Sequence, residues 1–213
     1  MAGVRVISVF DVVSNDMARN GTKKSLDRAR EIYLTAAQLF FEKGFESTSI
    51  SDIADALKLT KASLYYYVES KQDLLYRIVL LGLDSVKDAV LDPARSINDA
   101  EERLKFIIFN HARLAADGNH AVIIISHEMT ALNSDQRTLV QNRRREYFDF
   151  VRNTLVELQQ QGKLRKLNIT TATFTLFGMI LWLPRWYRSN GLLPADVVCH
   201  DVCDLALGGL MAR

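Results

Sequence analysis

The fold is decided by residues 48–73, which run T-S-I-S-D-I-A-D-A-L-K-L-T-K-A-S-L-Y-Y-Y-V-E-S-K-Q-D. Apolar residues recur at i, i+3, i+4 and i+7 from Ile50 to Leu57, which predicts a short helix with one buried side. A turn, a second short helix and the start of a third follow within the same stretch. This order predicts a helix-turn-helix, a unit that places its second helix in the major groove of DNA.

Three helix starts in this stretch carry their own capping signals. Ser49 and Asp52 have the S-x-x-D spacing of a capping box. Thr60 is placed to cap the second helix, and Ser70 with Asp73 repeats the S-x-x-D spacing at the third. The three helices are therefore predicted to begin just after residues 49, 60 and 70.

The second short helix is predicted to bury Leu64 and Val68 and to turn its other side outward. The outward residues are Lys61, Ala62, Ser63 and Tyr66. Lysine donates to guanine, serine pairs with several base edges, and aromatic rings pack on thymine methyls or sugars. We therefore predict that this side faces DNA bases.

A second group is predicted to bind the DNA backbone. Thr48, Tyr67 and Lys71 lie at helix ends or edges, where hydroxyls and ammonium groups meet phosphate oxygens, and Ser49 joins them. For Tyr65, Tyr66 and Tyr67, the alternative is that the rings are core aromatics of a helical bundle.

Residues 34–75 resemble the DNA-binding domain of the tetracycline-repressor (TetR/AcrR-type) family. The resemblance is carried by A-A-Q-L-F-F-E-K-G-F-E-S-T-S-I-S-D-I-A (36–54) and L-Y-Y-Y-V-E-S-K-Q-D-L-L (64–75). It implies that the outward residues of the second helix face bases and that Tyr65, Tyr67 and Lys71 hold sugars and phosphates. Lys58 stands where the family usually has glycine, so it is expected to adopt a left-handed conformation.

Composition favours a helical protein. Only three prolines and ten glycines interrupt the 213 residues, and no period-2 run predicts a strand. Two cysteines are too few for a disulfide scaffold, so a cytoplasmic location is expected. The apolar run 174–183 is about half of the ~20 residues that a membrane helix needs, so no membrane association is expected.

Charge does not mark a DNA site, because residues 1–75 carry as many acidic as basic side chains. Residues 1–22 are expected to be a flexible arm. Four basic residues cluster behind it: Lys23, Lys24, Arg28 and Arg30. They either contact phosphates or form a solvated tail.

The remaining pattern predicts a helical body. A connecting helix is expected from residue 70 to residue 91, where Asp92-Pro93 should stop it. Further helices are predicted at 98–116, 119–131, 135–161, 168–188 and 195–211. The chain is thus predicted to be all-α, with about nine helices. Residues 23–72 would form the DNA-binding domain and residues 73–213 the ligand-binding and dimerisation domain.

The last two helices, 168–188 and 195–211, are predicted to form a homodimer. Residues 174–183 are apolar on most of the helix surface, so a partner subunit is expected to bury what the chain's own core leaves exposed. The resemblance agrees, because members pair through their last two helices and bind paired half-sites. The expected DNA partner is therefore a palindromic operator.

Residues 181–192, L-W-L-P-R-W-Y-R-S-N-G-L, resemble the matching helix of family members that respond to acyl-CoA thioesters. Such a ligand needs an apolar tunnel and cations for its phosphates. The predicted ligand-binding residues are His127, Phe148, Phe177, Trp182, Arg185 and Trp186. Arg143–Arg145 either meet phosphates or form a solvated helix face. A hydrophobic, drug-like or aromatic ligand is the alternative effector.

No catalytic, metal or cofactor site is predicted. Ser126, His127 and Glu128 are adjacent on a predicted helix and so point in different directions. Cys199 and Cys203 lack a second ligand pair for a metal. The resemblance implies a DNA-binding repressor that a small molecule releases. An acyl-thioester enzyme or carrier with a vestigial DNA head is the weaker alternative.

Overall fold

The computed structural model describes residues 23–117 and 129–212, and these residues form α-helices joined by short turns. The helices are α1 (Lys23–Lys43), α2 (Ile50–Ala56), α3 (Lys61–Tyr65), α4 (Lys71–Val86), α5 (Asp92–Arg95), α6 (Ala100–Ala116), α7 (Ser134–Gln160), α8 (Ile169–Trp186) and α9 (Ala195–Leu210). No strand occurs in either described range, apart from an isolated β-bridge. The predicted all-α class is confirmed.

The three predicted capping signals are confirmed. Ser49 accepts a hydrogen bond from the Asp52 amide, and the Asp52 carboxylate accepts one from the Ser49 amide at 2.7 Å, so both halves of the capping box are present. Thr60 accepts from the amide of Ser63 at 3.1 Å at the start of α3. Ser70 caps α4 in the same way.

Helices α1–α4 enclose one hydrophobic cluster, here called the head core, which runs from Ala29 to Leu83 and also includes Leu132 and, from α7, Val140. Leu64 and Val68 are buried in it, as predicted, and hold α3 in place. Burying a leucine side chain contributes about 1.5–3 kcal/mol. A helix of five residues needs such an anchor, because it is too short to be stable alone.

The predicted stop at Asp92-Pro93 is wrong. The helical path continues from α4 through a π-helical turn at Lys87–Leu91 into α5, which contains Pro93. The Asp92 amide donates to the carbonyl of Lys87, five residues back. This wider turn makes room for the proline ring, which would clash with a carbonyl in a regular α-helix.

A second cluster, here called the body core, extends from Val86 to Leu210. Helix α6 packs against α7, α8 and α9 and so occupies the middle of the body. The predicted helices at 98–116, 135–161, 168–188 and 195–211 are confirmed within two residues at each end. The helix predicted at 119–131 lies mostly outside the described residues. Its last three residues, Met129–Ala131, are described and form a 3-10 turn.

Helix α4 belongs to both cores. Its residues from Leu74 to Leu83 pack in the head core, and Val86 packs in the body core. The domain boundary placed between residues 72 and 73 stays a prediction, and the arm at 1–22 lies outside the described residues. Among the described helices, none has the length and apolar character needed to cross a bilayer.

Candidate DNA-binding face and effector cavity

Helix α3 presents a polar and aromatic side to its surroundings. Lys61 and Ala62 are exposed, and the Tyr66 and Tyr65 side chains are 76% and 51% exposed. The Tyr66 ring packs edge-on against the half-buried Tyr67 ring, with centroids 5.2 Å apart. Rings of this size are rarely left in water without a partner surface, so this side is the candidate DNA-binding face.

The turn between α2 and α3 is a Schellman motif built around a non-glycine residue. Lys58 has a φ of 55°, as predicted from its position. Its amide donates to the carbonyl of Asp55 at 3.1 Å, and the amide of Leu59 donates to the carbonyl of Ala54 at 2.8 Å. These two bonds close the end of α2 and set the angle at which α3 leaves it.

The predicted phosphate contact of Thr48 is wrong. This residue is only 1% exposed, and its hydroxyl donates to the carbonyl of Gly44 at 2.8 Å and lies 3.3 Å from that of Leu39. The side chain therefore fastens the loop between α1 and α2 and cannot reach DNA. The neighbouring Ser49 remains exposed, although its hydroxyl also donates to the Asp52 carboxylate at 2.6 Å.

Two further predicted residues have internal partners. The Lys71 ammonium donates to the carbonyl of Phe45 at 2.9 Å and lies 4.3 Å from the centroid of that ring. The half-buried Ser63 shares its hydroxyl with that of Thr60 at 2.8 Å. Both residues thus shape the head before any contact with DNA is made.

The body contains a cavity of about 580 Å³. It lies between the end of α4 and helices α6, α7 and α8. Its apolar and aromatic wall comprises Leu83, Val86, Leu91, Tyr147, Phe148, Phe174, Phe177 and Leu181. Its charged lining comprises Lys87, Arg143, Arg144, Arg145, Glu146, Asp149 and Arg152, of which all but Lys87 stand on α7.

A buried histidine–tyrosine pair lines the same cavity. Tyr147 Oη lies 3.1 Å from His111 Nδ1, and both residues are buried between α6 and α7. The Phe177 ring completes the cluster, 6.0 Å and 5.4 Å from the two rings. Burial lowers the pKa of His111 to about 4 and raises that of Tyr147. Both side chains are therefore neutral near pH 7.

A buried ion pair joins the cavity to α4. Arg143 on α7 pairs through Nη2 with Asp84, and both side chains are largely shielded from solvent. Asp84 stands between Leu83 of the head core and Val86 of the body core. The pair therefore lies where the two cores meet.

Two family models match this chain. Residues 32–78 match the bacterial regulatory proteins of the tetR family, and residues 98–210 match the tetracyclin repressor-like C-terminal domain. The second match spans more than half of the chain. The chain belongs to the TetR family.

Relatives and solved structures agree with this assignment. The HTH-type transcriptional repressor KstR2 of Rhodococcus jostii is 27% identical over 186 residues, which are 86% of this chain and 91% of the relative. The crystal structure of AibR in complex with isovaleryl coenzyme A and operator DNA superposes with a TM-score of 0.76 at 32% identity. This match covers 84% of this chain and 97% of AibR. As a TetR-family member, the chain is a DNA-binding transcriptional regulator and not an enzyme.

Two of the residues predicted to bind the effector of this TetR-family regulator lie together in the cavity. Phe148 and Phe177 both line it, with stacked rings 5.9 Å apart. The predicted lining roles of three α8 residues, Trp182, Arg185 and Trp186, are wrong for this cavity.

The reason lies in the faces of α8. Phe177 and Leu181 point toward the cavity, whereas Trp182 and Trp186 are 63% and 51% exposed on another face. The Arg185 guanidinium instead lies 5.5 Å from the centroid of the Phe41 ring on α1. His127 lies outside the described residues.

The three arginines at 143–145 have different environments, and the ion pair of Arg143 corresponds to neither of the two interpretations given to the run. Arg143 turns inward to Asp84, whereas Arg144 and Arg145 are exposed at the cavity mouth. Desolvation by the surrounding protein lowers the pKa of Arg144. Within residues 23–117 and 129–212, neither Arg144 nor Arg145 has an acidic side chain at ion-pair distance. The mouth of the cavity thus carries guanidinium groups that are open to an anionic ligand.

Sequence reasoning missed His111, Tyr147 and Asp84. A signal for His111 was present, because it lies in the apolar stripe of α6 with Ile107, Ile108 and Ala115. A polar residue in such a stripe needs a buried partner. No local pattern identified Tyr147 as that partner, since the two residues are 36 positions apart.

Proposed function

We propose that the chain is a homodimeric cytoplasmic repressor that leaves its operator when an acyl-CoA thioester fills the cavity. The observation that carries this proposal is the division of the cavity. Its wall is apolar and aromatic, and its mouth has the guanidinium groups of Arg144 and Arg145, which have no acidic partner in the described part of the chain. An acyl-CoA has the matching division, with an apolar acyl group at one end and phosphates at the other.

The path to DNA runs through α4. This helix begins next to α3, and its other end supplies Leu83 and Val86 to the cavity wall. A ligand that needs these side chains displaced binds better to a conformation in which α4, and α3 with it, has moved. Differential affinity for the two conformations then lowers the affinity for DNA.

The likeness to AibR supports the acyl-CoA class, since AibR was crystallised with isovaleryl coenzyme A and operator DNA. The aromatic wall supports a second candidate, a flat aromatic or drug-like effector, because the Phe148 ring contacts the rings of both Phe174 and Phe177. A thermal-shift panel of acyl-CoAs, fatty acids and aromatic drugs separates the two candidates.

The deciding experiment measures operator release by isovaleryl-CoA and octanoyl-CoA. The double variant Arg144→Gln/Arg145→Gln is expected to need about tenfold more acyl-CoA for half-release, because two charge-assisted contacts to phosphate are lost. Arg137→Gln is the matched control, since Arg137 is exposed on the same helix outside the cavity lining. Equal effects in the two variants, or release by aromatic drugs alone, would refute the acyl-CoA proposal.

We propose that the exposed side of α3 contacts the bases, through Lys61, Ala62, Ser63 and Tyr66. Tyr65, Tyr67, Ser49 and Lys71 would hold the sugar-phosphate backbone. Lys61→Ala and Tyr66→Ala are each expected to weaken operator binding by about 10- to 100-fold and to reduce discrimination against competitor DNA. Lys43→Ala, at the exposed end of α1, is the control and should change affinity less than threefold.

We propose that the exposed apolar residues of α8 and α9 form the homodimer interface. Trp182, Trp186 and Leu205 are all more than half exposed, and Leu205 reaches 70%. Burial of these apolar side chains against a second copy of the chain would remove them from water. Leu205→Glu should shift the protein from dimer to monomer in light scattering. Leu167→Glu, on an exposed loop outside both helices, should leave the protein a dimer in light scattering.

A further inference from the structure

A histidine of the cavity lining has a buried nitrogen whose hydrogen-bonding capacity is unused. His111 is 3% exposed, and its Nε2 atom has no hydrogen-bond partner among the described residues. His111 lines the cavity next to Tyr147 and Phe177. A buried polar atom without a partner is destabilising, so a group that enters the cavity and satisfies it gains affinity.

The Tyr147 hydroxyl decides which histidine nitrogen carries the proton. It lies 3.1 Å from Nδ1. If Nδ1 carried the proton, the Tyr147 hydrogen would lack an acceptor in this contact and Nε2 would be an unused acceptor. If the tyrosine donates to Nδ1 instead, Nε2–H is the single unsatisfied group of the pair. The second arrangement leaves fewer unsatisfied groups, so Nε2 is a hydrogen-bond donor.

The electrostatics of the site favour a neutral acceptor over an anion. Both members of the pair are neutral, and the charge of Arg143, which also lines the cavity, is already balanced by Asp84, although its Nη1 atom has no hydrogen-bond partner among the described residues. A carboxylate at this depth would remain without a compensating charge, which is costly. A ketone, amide or thioester carbonyl oxygen accepts one hydrogen bond without that cost.

We propose that His111 selects effectors with a neutral carbonyl oxygen beside their apolar group, and that Nε2–H donates to this oxygen while Tyr147 holds the required tautomer. The proposal rests on the proposed function, because it takes the cavity to be the effector site. It adds that the acyl carbonyl itself is recognised, and not only the acyl chain and the phosphates.

The test compares two pairs of ligands by isothermal titration calorimetry. Isovaleryl-CoA and octanoyl-CoA are each matched with the thioether analogue, in which the carbonyl is replaced by a methylene. The wild type is expected to bind each thioester about tenfold more tightly than its thioether. His111→Leu should bind the two members of a pair equally, through loss of thioester affinity.

Two further variants separate recognition from packing. His111→Gln keeps an N–H donor near the position of Nε2 and should retain most of the preference. Tyr147→Phe releases the tautomer and should reduce the preference about threefold. Phe148→Leu should weaken thioester and thioether together and leave their ratio unchanged. Thermal melts identify any variant that has not folded, and His111→Gln then carries the comparison.

The outcomes distinguish this inference from the function on which it rests. If thioester and thioether bind the wild type equally, His111 does not recognise the carbonyl, while the acyl-CoA proposal stands. If His111→Leu keeps the tenfold preference, another group provides the donor and the inference is overturned. If none of the four CoA derivatives binds, the proposed function fails and the inference fails with it.

Discussion

The head core and the body core use their polar groups in opposite ways. In the head, the capping residues are satisfied by neighbours three positions away, and even the buried hydroxyl of Thr48 has a partner. In the body, buried nitrogens of His111 and Arg143 line a cavity and have no partner among the described residues. Satisfied polar groups give a fixed shape, whereas unsatisfied ones are available to a ligand.

This difference corresponds to a division of labour in a regulator. The head must present α3 in one geometry, because a hydrogen bond to a base edge requires accurate placement. The body must have more than one conformation, because a ligand can shift only an equilibrium that exists. The predictions below test each side of the comparison and the point where the two cores meet.

The largest effect is expected from breaking the ion pair between the cores. Arg143→Ala removes the guanidinium that pairs with Asp84 and should lower the free energy of unfolding by about 3–5 kcal/mol, because breaking a buried ion pair removes the attraction that offset the desolvation of its charges. Arg95→Ala is the matched control, since Arg95 pairs with Glu146 on the same helix α7 but both side chains are exposed. It should cost less than about 1 kcal/mol. If urea titrations gave similar losses of unfolding free energy for the two variants, the Arg143–Asp84 pair would contribute no more to stability than an exposed ion pair.

The next effect comes from acid and concerns the body alone. The unfolded chain takes up a proton at His111 below pH 6.5, whereas the folded chain does so only near pH 4. Between these values the wild type should lose about 1.4 kcal/mol per pH unit relative to His111→Gln, or about 3 kcal/mol in all. Above pH 6.5 the difference should be constant. Stability curves that stay parallel from pH 7 to pH 4.5 would mean that the histidine is not buried in its neutral form.

The same contrast explains what the sequence revealed. The caps at Ser49, Thr60 and Ser70 were predictable because capping acts over three residues and is therefore encoded locally. The left-handed Lys58 was predictable from the resemblance, because the family usually has glycine at this position. The pairing of His111 with Tyr147 depends on which faces of α6 and α7 meet, and that is settled by packing across the whole body.

Errors occurred where a distant contact outweighed a local signal. Thr48 resembles an exposed helix-end residue, but the carbonyls of α1 and its following loop take up its hydroxyl. Pro93 is a usual helix stop, but the π-helical turn before it makes room for the ring. The three α8 residues were predicted to bind the ligand from the resemblance of residues 181–192 and from their side-chain types, whereas the packing of α8 on the body decides which of its sides lines the cavity.

A smaller effect tests the assignment of Thr48 to the head core. Thr48→Val keeps the shape and removes the hydroxyl, so it should cost about 1–2 kcal/mol of stability. Operator affinity of the folded protein should change less than threefold, because the side chain does not face DNA. Ser47→Ala, at the exposed neighbouring position, should change neither quantity. A variant with normal stability and a tenfold loss of operator affinity would restore the phosphate contact predicted from the sequence.

The smallest effect tests the geometry of the turn itself. Lys58 is held at a φ of 55°, which costs a non-glycine residue about 1–2 kcal/mol. Glycine removes this strain, but its greater conformational entropy stabilises the unfolded chain by about 0.4–1 kcal/mol. Lys58→Gly should therefore stabilise the head by about 0.5 kcal/mol. Lys166→Gly, at an exposed bend without a positive φ, should destabilise the chain by a similar amount, because there the entropy term acts alone. Opposite signs in the two variants would show that the Lys58 turn is strained but fixed, as a head with one geometry requires. Equal losses of stability in the two variants would mean that Lys58 is not strained, and would weaken the contrast between a fixed head and an adaptable body.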